Sequence, residues 1–546
     1  MNGTRRSSDP AAENARYQLP RPAGTVWLGL RLSSLLLLAT SLASAIGLVL
    51  AGAPAPLAVG LLLLAAAVTL VPIADRPTLH WIGPAVRHHL RRGQLTWSAN
   101  DVQALLPPEC GRVRVVRLNA PDHPTAPGVG LILHRPRGNS TSKDRKESPD
   151  GSAPSMQSMQ STQSTQSALP RGARTVVLEV RGGDGFGLLD PTSQDTTLAG
   201  WGGALDALAA DSRVLRVQWL THTRPAVAPL PSHADAEDLT RDLTRDYDDL
   251  VVAVTAQAWT HTHLLAITLR PDGGRGRNRR GGEKDLQGSR DLGVMEQVRD
   301  LSALLLTADV LARPLDVAEL GTVLRLLTEP DYLQPDVHGD DLRDVQGDVD
   351  AARNVNGRRR GSTPEQWGVR CRRSEWTAVR TGDAWHRSYA VANWPNLPLA
   401  ADWLTGLLAS TPPEGTGRTL SVHARPIASV HATRQARAAA AKVQLDAADR
   451  SRFGLTGAPG GATPLDDQRA SDAGALEAEL AAGYRMLHTR AVMTISALSP
   501  LRLQQAASAL RATAATHRLD LRPLHGQHQL GLAATLPLTV VPGTRP

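Results

Sequence analysis

Histidines are the side chains here whose types and spacing come nearest to chemistry. His261 and His263 stand two apart in a β-branched, apolar run, so they share one face of a strand and could offer two imidazoles to a metal ion. A third ligand is not evident beside them, and among seventeen histidines a chance pairing needs no metal. The same applies to His525 with His528 and to the adjacent His88 and His89. A nucleotide motor needs a lysine delivered to the β- and γ-phosphates by a glycine loop. The only lysines are Lys143, Lys146, Lys284 and Lys442, preceded by Ser142, Arg145, Glu283 and Ala441, so the chain carries no P-loop. The cluster Gly182-Gly183-Asp184-Gly185-Phe186-Gly187 follows a strand-like run, but its spacing and the missing downstream acid make it a tight turn rather than a dinucleotide loop. Arg275–Arg280 and Arg358–Arg360 would attract phosphate, yet no aromatics interleave them to stack bases. Glycine-flanked serine elbows and an H-E-x-x-H pair are absent as well. The residues thus assign no catalytic, cofactor-binding or metal-binding position; the expectation is a non-enzyme with no cofactor, the alternatives being a cryptic nucleotide-using enzyme or a nucleic-acid-binding membrane protein, with nucleic acid a weak candidate partner.

Composition narrows the class. The chain has 546 residues, a formal charge of +8 and a pI near 10.0. Cys110 and Cys371 are the only cysteines, too few for a disulfide framework or a cysteine zinc site, which suits a reducing compartment.

The elements that would position any site begin with two apolar runs. Leu32–Ala51 and Pro56–Ile73 carry no charge and are joined by Gly52, Ala53, Pro54 and Ala55, which predicts an antiparallel transmembrane hairpin over 32–73 with the lipid bilayer as partner. Arginines flank it on both sides, Arg5, Arg6, Arg16, Arg21 and Arg31 before and Arg76, Arg87, Arg91 and Arg92 after, so the positive-inside rule places both termini in the cytoplasm and the chain in the cell membrane. Ala43-Ser44-Ala45 resembles a signal-peptide cleavage site, but the second apolar stretch following at once argues against one.

Beyond the hairpin, residues 1–31 read as a cytoplasmic tail and 74–134 as a basic juxtamembrane segment with first strands. Residues 135–170 have almost no apolar side chains and read as a disordered insertion. A first α+β domain is expected over 171–338, interrupted by a disordered 271–290, then a linker over 339–361 and a second α+β domain over 362–546. Thr175–Val180, Val214–Trp219, His263–Leu269 and Val492–Ala497 read as strands, and Leu198–Ala210, Asp235–Ala256, Gln297–Val310 and Pro500–His517 as helices. The fold class expected is membrane-anchored α+β: a two-helix transmembrane hairpin carrying cytoplasmic α/β-sandwich units of the ferredoxin-like, split β-α-β kind.

A family resemblance runs over nearly the whole chain. Its landmarks are Trp201-Gly202 with Leu205 and Leu208, Arg216-Val217-Gln218-Trp219-Leu220, Tyr247, Ala384-Trp385-His386 with Tyr389, Trp394-Pro395, Trp403-Leu404, and the closing Leu536-Pro537-Leu538. In these the chain resembles actinobacterial membrane proteins encoded with conjugative-transfer and type IV secretion components, and its carboxy-terminal part is similar to the non-motor portion of conjugation ATPases. The EccE component of type VII secretion, with the same Trp385-His386, Tyr389 and Trp394-Pro395 pattern, is the close rival. Either resemblance implies a non-catalytic, membrane-anchored structural subunit of a bacterial secretion or DNA-transfer apparatus, docking a separate motor ATPase. The carboxy-terminal unit Val492–Pro537 is then the implied docking surface.

Overall fold

A computed structural model describes residues 32–52, 54–70, 72–73, 76–77, 84–86, 88–89, 112–118, 128–135, 169–170, 172–182, 189–225, 259–271, 283–329, 371–395, 403–409, 416–452 and 464–541. The helix expected at Asp235–Ala256, both arginine blocks, the linker over 339–361 and most of 135–170 lie outside the described residues.

The amino-terminal apolar runs form α1 (Leu32–Leu50) and α2 (Ala55–Leu70), which pack on each other across a turn in which Gly52 adopts φ 80°. Among the described residues no helix is long and apolar enough to cross a membrane. This corrects the expected two-span hairpin and, with it, the placement of the chain in the cell membrane with both termini cytoplasmic. The physical reason is length and dilution. The 16 residues of α2 reach about 24 Å at ~1.5 Å per residue, short of a hydrocarbon core of roughly 30 Å. In α1 Thr40, Ser41 and Ser44 interrupt the apolar surface, with Thr40 and Ser41 donating back to Leu37 and Leu38 carbonyls.

The remainder is not a set of separate sandwich units, and the fold class is corrected accordingly: twelve strands form one continuous sheet. In chain order they are β1 (Arg112–Leu118), β2 (Val129–Arg135), β3 (Arg174–Gly182), β4 (Val214–Pro225), β5 (Trp259–Leu269), β6 (Val310–Pro314), β7 (Cys371–Ser374), β8 (Val379–Thr381), β9 (Ala384–Asn393), β10 (Thr416–Pro426), β11 (Leu487–Ala497) and β12 (Asp520–Pro523). The path runs β1-β2-β3-β5-β4-β10-β11-β9-β8-β7, with β6 pairing the far end of β3 and β12 the far end of β9, all antiparallel. The helices between them are α3 (Pro191–Ala210), α4 (Glu283–Leu306), α5 (Val317–Thr328), α6 (Thr405–Ala409), α7 (Ser429–Arg452), α8 (Pro464–Ala481), α9 (Pro500–Thr516) and α10 (His528–Ala534). The stretch read as disordered to Arg290 is helical from Glu283, the start of α4.

The topology repeats. Among the described residues the series β1-β2-β3-α3-β4-β5-α4-β6-α5 is matched in order by β7-β8-β9-α6-β10-β11-α9-β12-α10, with α7 and α8 between β10 and β11, where the corresponding residues 226–258 of the first copy lie outside the described residues. In each copy the second strand of the split β-α-β element, β4 or β10, lies at the inner edge. These two strands pair with each other from Val217↔Ala424 to Thr223↔Arg418, which fuses the copies about a pseudo-twofold seam.

Local chemistry explains the borders. Asp190 caps α3 through Thr192 and Ser193 N–H, with Pro191 at its first turn; Ser499 and Pro500 do the same for α9. α5 has a full capping box, Asp316 with Glu319. The sheet buries both faces. One face is apolar: Val176, Leu178, Val217, Leu265 and Ile267 meet Leu208 of α3 and Val298, Leu301 and Leu305 of α4, while Leu420, Val422, Met493 and Ile495 meet Leu503, Ala507 and Leu510 of α9. Trp219 at the seam touches both groups. The other face is covered by α5, α10 and the tail after α10, and its makeup is different.

Candidate functional site in the buried polar seam

On that second face an apolar cluster, Ile132, Val177, Leu220 and Leu264 against Leu320 and Leu324 of α5 and Leu536 and Leu538 of the tail, is flanked by buried hydroxyl, amide and imidazole side chains: His134, Thr175, Thr268, Gln218, His222, Thr419, Ser421, His423, His386, Ser388, Thr494 and Ser496. Their shared face follows from the period of two; residues facing α3, α4 and α9 are apolar, and their neighbours face this layer. Buried polar groups must be bonded, and here they bond chiefly to each other and to the polypeptide backbone.

Gln218 is the centre. Its amide nitrogen lies 3.1 Å from the Ala534 carbonyl, 2.8 Å from the Leu536 carbonyl and 2.9 Å from Ser421 Oγ, and its Oε1 accepts from Thr539 N–H at 2.7 Å. His423 Nε2–H donates to the Ala534 carbonyl at 2.8 Å, leaving Nδ1 without a partner. Arg216 donates to the Thr539 carbonyl at 3.1 Å, and the Thr539 hydroxyl closes a chain with Thr268 at 2.7 Å, Thr175 and His134. Thr539 sits at φ 52°, a strained backbone for a β-branched residue that its bonded N–H, carbonyl and hydroxyl hold in place. Residues 528–540 thus form a strap across the seam, anchored by α10 on β9 and β11 and ending over β3 and β5.

A second cluster mirrors the first. The Thr381 hydroxyl donates to the Thr328 carbonyl at 3.0 Å, so it accepts from His386 Nε2–H at 2.6 Å, and His386 Nδ1 in turn accepts from Ser496 at 2.7 Å. Thr328 ends α5, whose body packs on β1 and β2. Each copy's last helix therefore lies on its own strands while its trailing end crosses to cap the hydroxyl–imidazole cluster of the other copy.

The electrostatics rule out the obvious chemistry for these groups. Burial lowers His134, His386 and His423 to about 4 and His222 to about 3, with Arg216 adding to the shift at His134 and Arg224 and His261 at His222. A Ser496–His386 pair has the contact of a nucleophile and its base, but the imidazole is a poor base at this pKa, its other nitrogen bonds a threonine rather than a carboxylate, and Ser496 is sealed from solvent. What the arrangement can do is hold a polypeptide backbone.

His261 and His263 do share a face of β5, their rings stacked at 6.2 Å, with Nδ1 atoms bonded to Thr223 and Thr221 at 3.0 Å. Among the described residues no group of three or more His, Cys, Asp or Glu is placed to hold a metal ion. Gly182 ends β3, and the rest of its glycine cluster lies outside the described residues. His525 and His528 come together at the foot of the strap, rings edge-on at 5.9 Å.

Residue-by-residue inspection for known motifs passes over the seam, although the chain does carry a signal for it. His222-Thr223-Arg224-Pro225 and His423-Ala424-Arg425-Pro426 repeat the pattern His-x-Arg-Pro, and each closes the second strand of its copy. No protein-family model matches the chain, and comparison with curated proteins finds no match.

Proposed function

We propose that the protein is a non-catalytic docking scaffold of a bacterial secretion or conjugative DNA-transfer apparatus, binding a motor ATPase supplied by another polypeptide. The observation that carries this reading is the use made of the chemistry-bearing side chains: the imidazoles and hydroxyls gathered at the seam are buried, neutral and bonded to one another and to backbone, which suits a rigid platform. The sequence resemblance to the non-motor portion of conjugation ATPases supplies the class of partner. β11 lies inside the sheet, so the docking surface of the carboxy-terminal unit falls on the outer side of α9, where Leu501 is 66% exposed and Gln505, Ser508 and Arg511 are open to solvent.

The test has two arms. The purified chain should release no phosphate from ATP above background, and it should bind the motor ATPase encoded nearest its gene, with the paired substitution Leu501→Glu and Gln505→Glu weakening binding without lowering the melting temperature. Hydrolysis abolished by a point mutation in this chain, or binding indifferent to α9, would overturn the proposal. A motor of the type VII kind rather than the conjugation kind would move the assignment to the EccE-like alternative.

A further inference from the structure

At the foot of the strap two histidines meet one tryptophan, and a third packs against one of them. Trp376 occupies the tight turn between β7 and β8, closed by Glu375 N–H to the Ala378 carbonyl. The His525 ring stacks on it at 6.0 Å and 6°, and His88 meets it edge-on at 5.5 Å. Gly526, at φ 67°, donates its N–H to the Trp376 carbonyl, and a Cβ there would come within 2.6 Å of the indole, so only glycine lets the chain pass. His528, fully buried, accepts from Ser388 N–H through Nδ1 and places Nε2 with no partner, its ring edge-on to His525. Three residues on, Gly531 rests so closely on Ser388 that a Cβ would lie 2.3 Å from the serine's. The strap therefore starts from a site with little slack.

The charged group facing these rings is Arg387 of β9, which donates to the Thr377 carbonyl. His88, Arg387, His525 and His528 are the groups that influence one another's charge here, and each pairwise influence acts against protonation. Burial is the first cause for both His525 and His528 and acts in the same direction.

We propose that this cluster is a proton-sensitive latch for residues 528–540: mild acidification places imidazolium charges around Trp376 and beside Arg387, the foot of the strap lifts, and the backbone-binding trough of Gln218, His423, Thr175 and Thr268 is uncovered. In the released state the imidazoles titrate near an ordinary value of about 6.5, so opening takes up protons and grows as the pH falls below that value. Because α10 docks on β9 and β11 separately from the strand ladders, the strap opens before the sheet does.

Hydrogen exchange on the intact chain at about pH 7.5 and about pH 5.5, corrected for intrinsic amide rates, tests this. Amides of 528–540 should exchange about tenfold faster at the lower pH while those of β5 stay protected, one proton across one pH unit being worth about that factor. His88→Gln with His525→Gln should keep the protection at neutral pH and weaken the acid-induced opening, leaving the share that His528 contributes. Arg387→Gln should move the opening to lower pH, since the charge opposing protonation of the closed latch is gone. The latch is overturned if strap and β5 lose protection together, if the strap shows no acid-induced opening, or if neither variant alters the response. Should the double variant be open already at neutral pH, the direction of the Arg387→Gln shift decides alone.

Discussion

Both faces of the sheet bury apolar side chains, Val177, Leu220 and Leu264 meeting Leu536 and Leu538 on the strap side, but that side adds a network of directed bonds. On the helix face, Val176, Leu178, Leu265 and Ile267 meet α3 and α4 through apolar contact that is non-directional and grows with area. On the strap face, Gln218, His423, Thr175, Thr268 and Thr539 meet the chain's own tail through bonds of fixed geometry. The first can tolerate repacking; the second specifies one register of tail on sheet and leaves unmet polar groups if that register is lost. The contrast shows how a pseudo-symmetric pair of β units is kept in a single arrangement: apolar area makes each half fold, and directed bonds crossing the seam make the halves one body.

The largest break should come from acid. His134, His222, His386 and His423 are neutral in the folded chain, lowered from 6.5 to about 4, about 3, about 4 and about 4, and recover ordinary affinity for protons on unfolding. Because the folded values lie below the unfolded one, this contribution is intact above about 6.5 and is lost as the pH falls toward about 4, at up to about 1.4 kcal/mol per group per pH unit. Denaturant titrations from neutral pH downward should show the midpoint collapsing in that window; a midpoint flat to pH 4.5 would contradict the buried, neutral imidazoles.

Next in size is the apolar face. Leu265→Ala, at a site with no exposure, should cost about 2–5 kcal/mol in urea unfolding. Gln218→Leu, near in volume, should cost about 1–3 kcal/mol because the buried Thr539 N–H loses its partner, while the Ala534 and Leu536 carbonyls each lose one of two donors and keep His423 and Leu538 N–H. The sharper difference lies in where the damage falls: hydrogen exchange should rise across α3, α4 and β5 in the leucine variant, but in the strap and along the β4–β10 ladder in the glutamine variant. The smallest effect is expected at a helix border, Asp316→Ala at the α5 cap, about 1 kcal/mol. A cost above that of Gln218→Leu would mean that α5, rather than the seam, organises the strap face.

Much of this architecture can be read from local pattern. Thr175–Val180, His263–Leu269 and Val492–Ala497 lie within β3, β5 and β11, and Pro500–His517 marks α9 to within a residue, because β-branched runs and a Ser-Pro cap declare themselves locally. Pairing does not. Alternation says which residues share a face but not which strand lies alongside, so the β4–β10 ladder joining residues two hundred positions apart is invisible to it. The strap is harder still: Leu536-Pro537-Leu538 reads as an ending, and only the partners Gln218 and His423, drawn from both copies, give it a role. The His-x-Arg-Pro repeat was the one legible clue to the seam. The apolar runs of α1 and α2 misled because freedom from charge is not the same as an apolar span: α2 stops at 16 residues, and hydroxyl side chains dilute α1.

The central claim, that the carboxy-terminal strap binds the two copies into one body through Gln218, is tested most directly by following amide exchange in the Gln218→Leu chain at neutral pH. The account predicts that Trp219–Thr223 of β4, Arg418–Ala424 of β10 and residues 528–540 lose protection together, while β3 and β9 keep theirs. Loss confined to 528–540, with the β4–β10 ladder as protected as in the unaltered chain, would contradict it and leave the strap a passenger on a seam that holds without it.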